Sequence, residues 1–124
     1  MATQTTNTVE KNRLSRRIRN FYRLFNENNW EGCFERLDPE LRGARVEFDK
    51  YADSLASFFA KYGPMRIQSV SLELFMNAKG NKHDDRPFAY GTLHWQDNKR
   101  KQHTLRERWV KSGATWYTRM IGLV

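Results

Sequence analysis

The spacing of apolar residues divides the chain into a helix-forming first half and a strand-forming second half. In the first half, apolar residues recur every three or four positions, which is the spacing of one helix face. This pattern predicts a helix over about residues 8–28, a short helix over residues 30–37 and a third helix that ends at Gly63-Pro64. The apolar stripe of the third helix consists of Phe48, Tyr51, Leu55, Phe58, Phe59 and Tyr62.

From Met65 onward the apolar period changes to two, as expected for strands that pack one face against a core. We predict strands over about residues 66–77, 88–95, 102–111 and 114–123, with the polar residues 77–86 as a loop. Helices followed by a block of strands predict an α+β domain, in which three amino-terminal helices pack on one face of a mostly antiparallel sheet.

The second and third strands are predicted to form a hairpin with Asn98 and Lys99 as a two-residue turn. The cross-strand pairs in that register are Phe88–Trp109, Tyr90–Glu107, Thr92–Leu105 and His94–His103. We expect this set to face the interior, so that Glu107 points inward. The apolar residues left over for the outer face are Leu93, Trp95, Val110 and either Trp116 or Tyr117. They predict a homodimer that buries part of this face.

Composition limits the class of protein. A chain of 124 residues fits one domain, which we place at residues 9–124 after a disordered or frayed start at residues 1–8. No apolar run approaches the roughly 20 residues of a membrane helix, and the polar start lacks the apolar region of a signal peptide. We therefore expect a cytoplasmic protein that does not enter a membrane. The single Cys33 lies in an apolar-periodic stretch and is interpreted as a core residue.

The formal net charge of +8 favours nonspecific attraction to anionic surfaces and nucleic acids. In the first helix, Arg16, Arg19 and Arg23 lie on the side opposite the apolar stripe, without exposed aromatic residues between them. They offer charge to phosphates but no surface on which bases stack. Nucleic-acid binding is therefore predicted to be at most weak, sequence-independent and strongly salt-dependent.

Three segments suggest a relationship to a known superfamily. They are Phe21-Tyr22-Arg23-Leu24-Phe25 followed by Asn29-Trp30-Glu31, then Leu37-Asp38-Pro39-Glu40-Leu41, and finally Trp109-Val110-Lys111-Ser112-Gly113 followed by Trp116-Tyr117. In this order the chain resembles the nuclear-transport-factor-2-like superfamily, also called ketosteroid-isomerase-like. The resemblance implies a cone-shaped, cystatin-like domain whose strongly curved sheet wraps around a long helix. Enzymes of this superfamily place a carboxylate or histidine base, with a polar partner, inside the cone.

By this resemblance, the candidate catalytic residues are Glu107, His94 and Asp38. The candidate ligand-binding residues are Tyr90, Trp109, His103, Tyr51, Phe58 and Tyr62. Structural roles are the alternatives: Glu107 could pair with Arg119 or Arg106, the histidines could lie at the hairpin rim, Asp38 could cap a turn, and the aromatic stripe could be core. No motif predicts a cofactor, and the loop sequence His83-Asp84-Asp85 is too weak a signal to predict a metal ion.

Two functions are compatible with these observations. The first is a small-molecule-binding domain of unspecified activity, whose aromatic-lined pocket would suit acid–base chemistry of the isomerase or dehydratase kind. The second is a noncatalytic dimerisation or partner-binding module with a filled cone. A hollow interior lined by Glu107 would favour the first, and an interior filled by tryptophan and phenylalanine side chains would favour the second.

Overall fold

The structure, a computed structural model, describes residues 2–76 and 86–123, with side chains from residue 7 onward. The element order is α1 (Ala2–Asn26), α2 (Trp30–Glu35), α3 (Phe48–Tyr62), β1 (Arg66–Phe75), β2 (Phe88–Gln96), β3 (Gln102–Ser112) and β4 (Thr115–Thr118). The strands form one open antiparallel sheet in the order β1-β2-β3-β4. The predicted α+β class with three amino-terminal helices is confirmed. The predicted loop at 77–86 lies outside the described residues except for Arg86.

The helices follow the predicted apolar stripes but differ at their ends. α1 begins at Ala2 rather than near Thr8, and it ends at Asn26 because Asn28 has a left-handed backbone with a φ of 59°. α2 is capped by the Asn29 side chain, which accepts a hydrogen bond from the Gly32 amide at 2.9 Å. It ends two residues before the predicted Leu37, since Leu37 forms an isolated bridge to Thr118.

Cys33 lies in α2 and is fully buried in the core. Its Sγ atom is 3.7 Å from the Phe21 carbonyl oxygen in α1. Burial raises the pKa of this thiol to about 12. The interpretation of Cys33 as a core residue agrees with this position.

The β2–β3 hairpin closes through a three-residue loop, 98–100, instead of the predicted two-residue turn. The Asp97 amide donates to the Lys101 carbonyl at 3.0 Å, and Arg100 adopts a left-handed backbone with a φ of 64°. This combination is typical of three-residue hairpin loops. The Asp97 carboxylate also accepts hydrogen bonds from the Lys99 and Lys101 amides at 2.8 and 2.9 Å.

The longer loop shifts the β2–β3 register by one residue, so the predicted pairs were wrong. The observed pairs include Phe88–Val110, Tyr90–Arg108, Gly91–Glu107 and His94–Thr104. A shift of one residue reverses the faces of a strand. Tyr90 and His94 therefore lie on the outer face of the sheet, with Arg106 and Arg108. The outer-face prediction is also wrong for Leu93 and Trp95, which are buried in the core, and of the alternatives Trp116 and Tyr117 it is Trp116 that lies in the core.

The core lies between α1 and the inner face of the sheet. Leu93, Trp95 and Trp109 from the sheet pack in one cluster with Leu14, Ile18 and Phe25 of α1. Gly91 permits this close approach, because a Cβ atom there would lie 3.3 Å from the Ile18 Cδ1 atom. No described helix has both the length and the apolar content needed to cross a membrane.

β4 ends at Thr118, well before the predicted end at Leu123. The Thr118 hydroxyl accepts a hydrogen bond from the Met120 amide at 3.0 Å, which turns the chain out of the sheet. Residues 119–123, named the C-terminal segment below, then cross to α3. There Ser54 holds Leu123 by two hydrogen bonds of 2.9 and 3.1 Å.

Candidate functional site

Glu107 is a buried carboxyl group on the inner face of β3. Its side chain lies between α1 and the sheet, and the residue is only 3% exposed. The Tyr22 hydroxyl of α1 donates a hydrogen bond of 2.7 Å to Oε2, whereas Oε1 has no hydrogen-bond partner. The predicted inward orientation of Glu107 agrees with this position.

Unpartnered polar atoms gather around this carboxyl group. Besides Glu107 Oε1, the hydroxyl of Tyr51 and the indole Nε1 of Trp109 are buried without a hydrogen-bond partner. Burial of such a group without a hydrogen-bond partner destabilises the fold by about 1–3 kcal/mol, because the group has lost its hydrogen bonds to water. Three such groups lie in one part of the core.

Glu107 and Tyr51 line the same narrow internal void. The space is too narrow to admit a water molecule. Its other walls are Phe21, Tyr22, Leu55, Thr118, Met120, Gly122 and Leu123. Three of these residues belong to the C-terminal segment, so this segment closes the void on one side.

Gly122 allows the C-terminal segment to lie against α3. Its φ of 151° is a backbone conformation that residues with a side chain rarely adopt. A Cβ atom at this position would also lie 2.5 Å from the Ser54 hydroxyl oxygen. The segment therefore depends on a glycine directly before Leu123, the residue that Ser54 holds.

Tyr22 forms the opposite wall of the site. Its ring borders both the internal void and a surface cleft of about 400 Å³ between α1 and β1. The phenol is 1% exposed, and burial raises its pKa well above 10, with the nearby Glu107 adding to the rise. Tyr22 thus borders the surface cleft and also contacts the Glu107 carboxyl group.

Burial raises the pKa of Glu107 to about 7. The hydrogen bond from Tyr22 acts in the opposite direction, as does the indole N–H of Trp109, whose geometry falls outside an ordinary hydrogen bond. The carboxyl group is thus protonated in mildly acidic solution and ionised in mildly basic solution. A carboxyl group of this kind is suited to both donating and accepting a proton near neutral pH.

Asp38, a candidate catalytic residue, holds an ion-pair network and does not line the Glu107 void. Arg86 donates to both of its carboxylate oxygens, at 2.9 and 2.8 Å, and Arg119 donates to Oδ2 at 2.8 Å. Burial alone would raise the pKa of Asp38, but the hydrogen bonds from Arg86 and Arg119 outweigh burial and hold the pKa below its ordinary value. Asp38 Oδ1 also accepts a hydrogen bond from the Glu40 amide at 3.1 Å, which agrees with the alternative that Asp38 caps a turn.

The structure does not bring His94 or Tyr90 to Glu107. His94 is exposed on the outer face, where its Nδ1 atom lies 3.2 Å from the Thr104 hydroxyl. Tyr90 is half-buried on the same face, with the Arg106 guanidinium 4.3 Å from its ring centre. The expectation that Tyr90 lies near Glu107 was wrong, because the three-residue hairpin loop reverses the faces of β2.

His103, Phe58 and Tyr62 form a separate aromatic group at the hairpin end of the molecule. The His103 ring stacks on Trp95 at 4.4 Å and contacts the edge of Tyr62 at 5.2 Å. Its Nε2 atom is 2.8 Å from the Asp97 carboxylate, which lowers the pKa of Asp97. Of the predicted site residues, only Trp109 and Tyr51 lie with Glu107.

Sequence reasoning missed Tyr22 as the partner of Glu107. Tyr22 fits the apolar spacing of α1 and is not among the candidate site residues predicted from the sequence. A signal was present, because a tyrosine that is buried in such a stripe needs a partner for its hydroxyl group. The two residues are 85 positions apart, so spacing alone could not pair them.

Glu10 is a second buried carboxylate that the sequence analysis did not identify. It is 3% exposed, and it accepts hydrogen bonds from Lys111 and from the Trp116 indole, each at 2.9 Å. Burial raises its pKa, but these hydrogen bonds outweigh burial and leave the pKa below its ordinary value. Its position four residues before Leu14, on the buried face of α1, was the available signal.

Among residues 2–76 and 86–123, no group of three or more His, Cys, Asp and Glu side chains is placed to hold a metal ion. The sequence His83-Asp84-Asp85 lies outside the described residues. Comparison of the chain with protein-family models, with curated proteins and with solved structures finds no match.

Proposed function

We propose that this chain is a small-molecule-binding domain, and that its site is the Glu107 carboxyl group with Tyr22, Tyr51 and Trp109. One observation supports this proposal above the others. One oxygen of the buried Glu107 carboxyl group has no hydrogen-bond partner, and two further unpartnered polar atoms, the Tyr51 hydroxyl and the Trp109 indole Nε1, lie near it in an aromatic surrounding. The ligand class that fits is a compact, mostly apolar molecule with one carbonyl or hydroxyl oxygen.

The protonation range of Glu107 supports acid–base chemistry of the isomerase or dehydratase kind at the same site. Below a pH of about 7 the carboxyl group is neutral and donates a hydrogen bond to a carbonyl oxygen. Above that pH it is ionised and accepts a proton from carbon or oxygen. The Tyr22 hydroxyl, hydrogen-bonded to Oε2, holds the group in position in both states.

Ligand entry requires the void to open, because the void admits no water molecule in the closed arrangement. The C-terminal segment is the wall best suited to move. It lies outside the sheet, and its end is held by hydrogen bonds to Ser54 of α3. We propose that this segment opens to admit the ligand and closes over it.

Two probe molecules test the proposal. Acetophenone presents a carbonyl group on an aromatic ring, and ethylbenzene has the same ring and chain length without an acceptor. We expect NMR titration to show that acetophenone binds more tightly, and that its affinity falls about five- to tenfold as pH rises through 7, because an ionised Glu107 no longer donates. In the Glu107→Gln variant the affinity should not depend on pH.

Two results would contradict the proposal. One is equal affinity for acetophenone and ethylbenzene at every pH. The other is an unchanged rate of acetophenone binding to a Ser54→Ala variant, in which the C-terminal segment has lost both hydrogen bonds to α3 and should open more readily.

The superfamily resemblance is part of the same proposal. It is supported by the order of three helices followed by an antiparallel sheet, and by a carboxyl group on the inner face of that sheet. The cone shape is a prediction that follows from the resemblance.

The filled interior favours a second candidate function, a noncatalytic module that forms a homodimer through the outer sheet face. Trp95, Trp109 and Trp116 are all buried in the core. The outer face carries a half-buried aromatic group, in which the rings of Phe75 and Phe88 stack at 4.8 Å. No described helix covers this face.

The charges of the outer face are compatible with a second copy of the chain as the partner. The Arg106 and Arg108 guanidinium groups lie over the Tyr90 and Phe88 rings at 4.3 and 4.5 Å. Glu73 is exposed beside Tyr90 and makes no ion pair with any described residue. A face that carries both signs of charge can be complementary to itself across a two-fold axis.

Light scattering during size-exclusion chromatography tests this second function. We expect a dimer at micromolar concentration and a monomer for Phe88→Glu, whereas Thr104→Glu, at the polar end of the same face, should remain dimeric. A monomeric wild-type protein, or equal effects of both substitutions, would exclude this interface. Circular dichroism of each variant separates a lost interface from a lost fold.

A further inference from the structure

A cleft lined with arginine residues lies between α1 and the β3–β4 hairpin, separate from the Glu107 site. Its volume is about 260 Å³. Its lining residues are Arg13, Arg16, Arg17, Asn20, Ala114, Thr115 and Trp116. We refer to it as the arginine cleft.

The arginine cleft has more positive charge than its acidic neighbours neutralise. Glu10 is the carboxylate at this end of α1, and its Oε1 atom already pairs with Arg13 at 3.3 Å and Lys111 at 2.9 Å. Its Oε2 atom accepts a hydrogen bond from the Trp116 indole. Within the described part of the chain, neither Arg16 nor Arg17 makes an ion pair. Two guanidinium groups therefore face the cleft without a counterion.

Arg17 connects the cleft to two more arginines without a described counterion. Its Nε atom donates to the Trp116 carbonyl at 2.9 Å, and its guanidinium group lies 5.3 Å from the Tyr117 ring centre. The Arg42 guanidinium group lies 5.9 Å from the same ring. Burial lowers the pKa of Arg17, and the positive charge of Arg36 lowers it further.

Arg36 and Arg42 each have a buried Nε atom without a hydrogen-bond partner. Neither residue makes an ion pair with any residue that the structure describes. Cations that are partly removed from water and lack a partner are unfavourable, and an anion beside them removes much of that cost. These arginines therefore lack the carboxylates that would neutralise them, which is typical of a site that binds an anion.

We propose that the arginine cleft binds the phosphate group of a small phosphorylated molecule. Guanidinium groups bind phosphate oxygens through paired N–H donors, and a phosphate carries enough charge to neutralise both Arg16 and Arg17. The cleft offers no exposed ring on which a base could stack, because Trp116 is 1% exposed and Tyr117 has arginines near its ring. A phosphorylated small molecule therefore fits better than a nucleic acid.

Calorimetric titration with inorganic diphosphate at low salt tests this inference. Arg16→Ala removes an exposed guanidinium group that makes no described contact, and we expect the affinity to fall about five- to tenfold. Arg19→Ala, three residues along the same helix and also exposed, is the matched control and should change the affinity less than about twofold. Arg17→Lys keeps the charge but loses the paired donors, so it should weaken binding as well.

Equal losses in the Arg16→Ala and Arg19→Ala variants would show general electrostatic attraction and would overturn the proposal. A short single-stranded RNA that binds far more tightly than diphosphate, with no effect of Arg16→Ala, would overturn it too. A nucleoside monophosphate that competes with diphosphate for the same site, with the same variant dependence, would support it. The acetophenone measurements do not depend on this cleft, so the two proposals stand or fail separately.

Discussion

Glu107 connects the stability of the fold to pH. Its pKa is about 7 in the folded chain, against 4.5 for an ordinary glutamate. Between these values the folded state keeps a proton that the unfolded state has released. The free energy of unfolding therefore decreases as pH rises over this range, by about 3 kcal/mol in total, and this contribution is constant above it.

Urea unfolding of the wild type and of Glu107→Gln at a series of pH values measures this contribution. The variant keeps the shape of the side chain and lacks the ionisation. We expect the difference in unfolding free energy between the two proteins to change by about 3 kcal/mol between pH values of about 4.5 and 7. A difference that is independent of pH would show that Glu107 does not titrate in this range.

Substitutions of the two buried tyrosines at the site should have different effects on the pKa of Glu107. The Tyr22 hydrogen bond lowers the pKa of Glu107, so Tyr22→Phe should raise that pKa above about 7. Tyr51 donates no hydrogen bond to the carboxylate, so Tyr51→Phe should leave the pKa close to its wild-type value. The chemical shift of the isotope-labelled Glu107 carboxyl carbon against pH measures both. Equal shifts in the two variants would contradict this geometry.

At the scale of elements, the Ser54 hydroxyl fastens the C-terminal segment to α3. Loss of its two hydrogen bonds in Ser54→Ala should weaken the closed arrangement by about 1–2 kcal/mol. We expect the Leu123 amide to exchange with deuterium about tenfold faster in this variant. Ser57→Ala, on the exposed side of the same helix, is the control and should leave the exchange rate unchanged.

Asp38 joins three stretches of chain that are distant in sequence. Its fully buried carboxylate binds Arg86 just before β2 and Arg119 just after β4, while its own amide donates to the Thr118 carbonyl. Asp38→Asn would remove the buried anion that Arg86 and Arg119 share, and we expect a loss of about 3 kcal/mol in unfolding free energy. Glu40→Gln removes the exposed partner of the same Arg86 and should cost less than about 1 kcal/mol.

The helices could be predicted from the sequence because their signals are local. The stripe from Phe48 to Tyr62 and the stop at Gly63 lie within one stretch of chain, and α3 has these bounds. The inward orientation of Glu107 also followed from local pattern, since Leu105 and Trp109 on either side of it share one face of a strand.

The register of β2 could not be predicted, because both faces of that strand carry large apolar side chains. Phe88 and Tyr90 lie on one face and Leu93 and Trp95 on the other. The alternation of apolar residues therefore does not show which face of β2 points to the core. The left-handed residue of the hairpin loop is Arg100 rather than glycine, and it leaves no turn signature. Which side chains of β2 face the interior therefore depends on the length of a hairpin loop that the sequence does not reveal.

At the scale of the whole molecule, three chemically different regions lie apart from one another. The ionisable Glu107 is enclosed between the sheet and α1, the aromatic and arginine residues of β2 and β3 lie on the outer face, and the arginine cleft lies beside β4. Different side chains form each of the three regions. The proposed functions can therefore be tested one at a time.

Because Cys33 is the only cysteine and is fully buried, the rate at which its thiol is modified reports on unfolding of the chain. A disulfide reagent reacts with thiolate, so modification must wait until α2 leaves the core and the thiol regains its ordinary acidity. If that departure requires the whole domain to unfold, Asp38→Asn should accelerate modification by the same factor by which it raises the unfolded population. An unchanged rate would identify α2 as a part that detaches while the rest of the molecule stays folded.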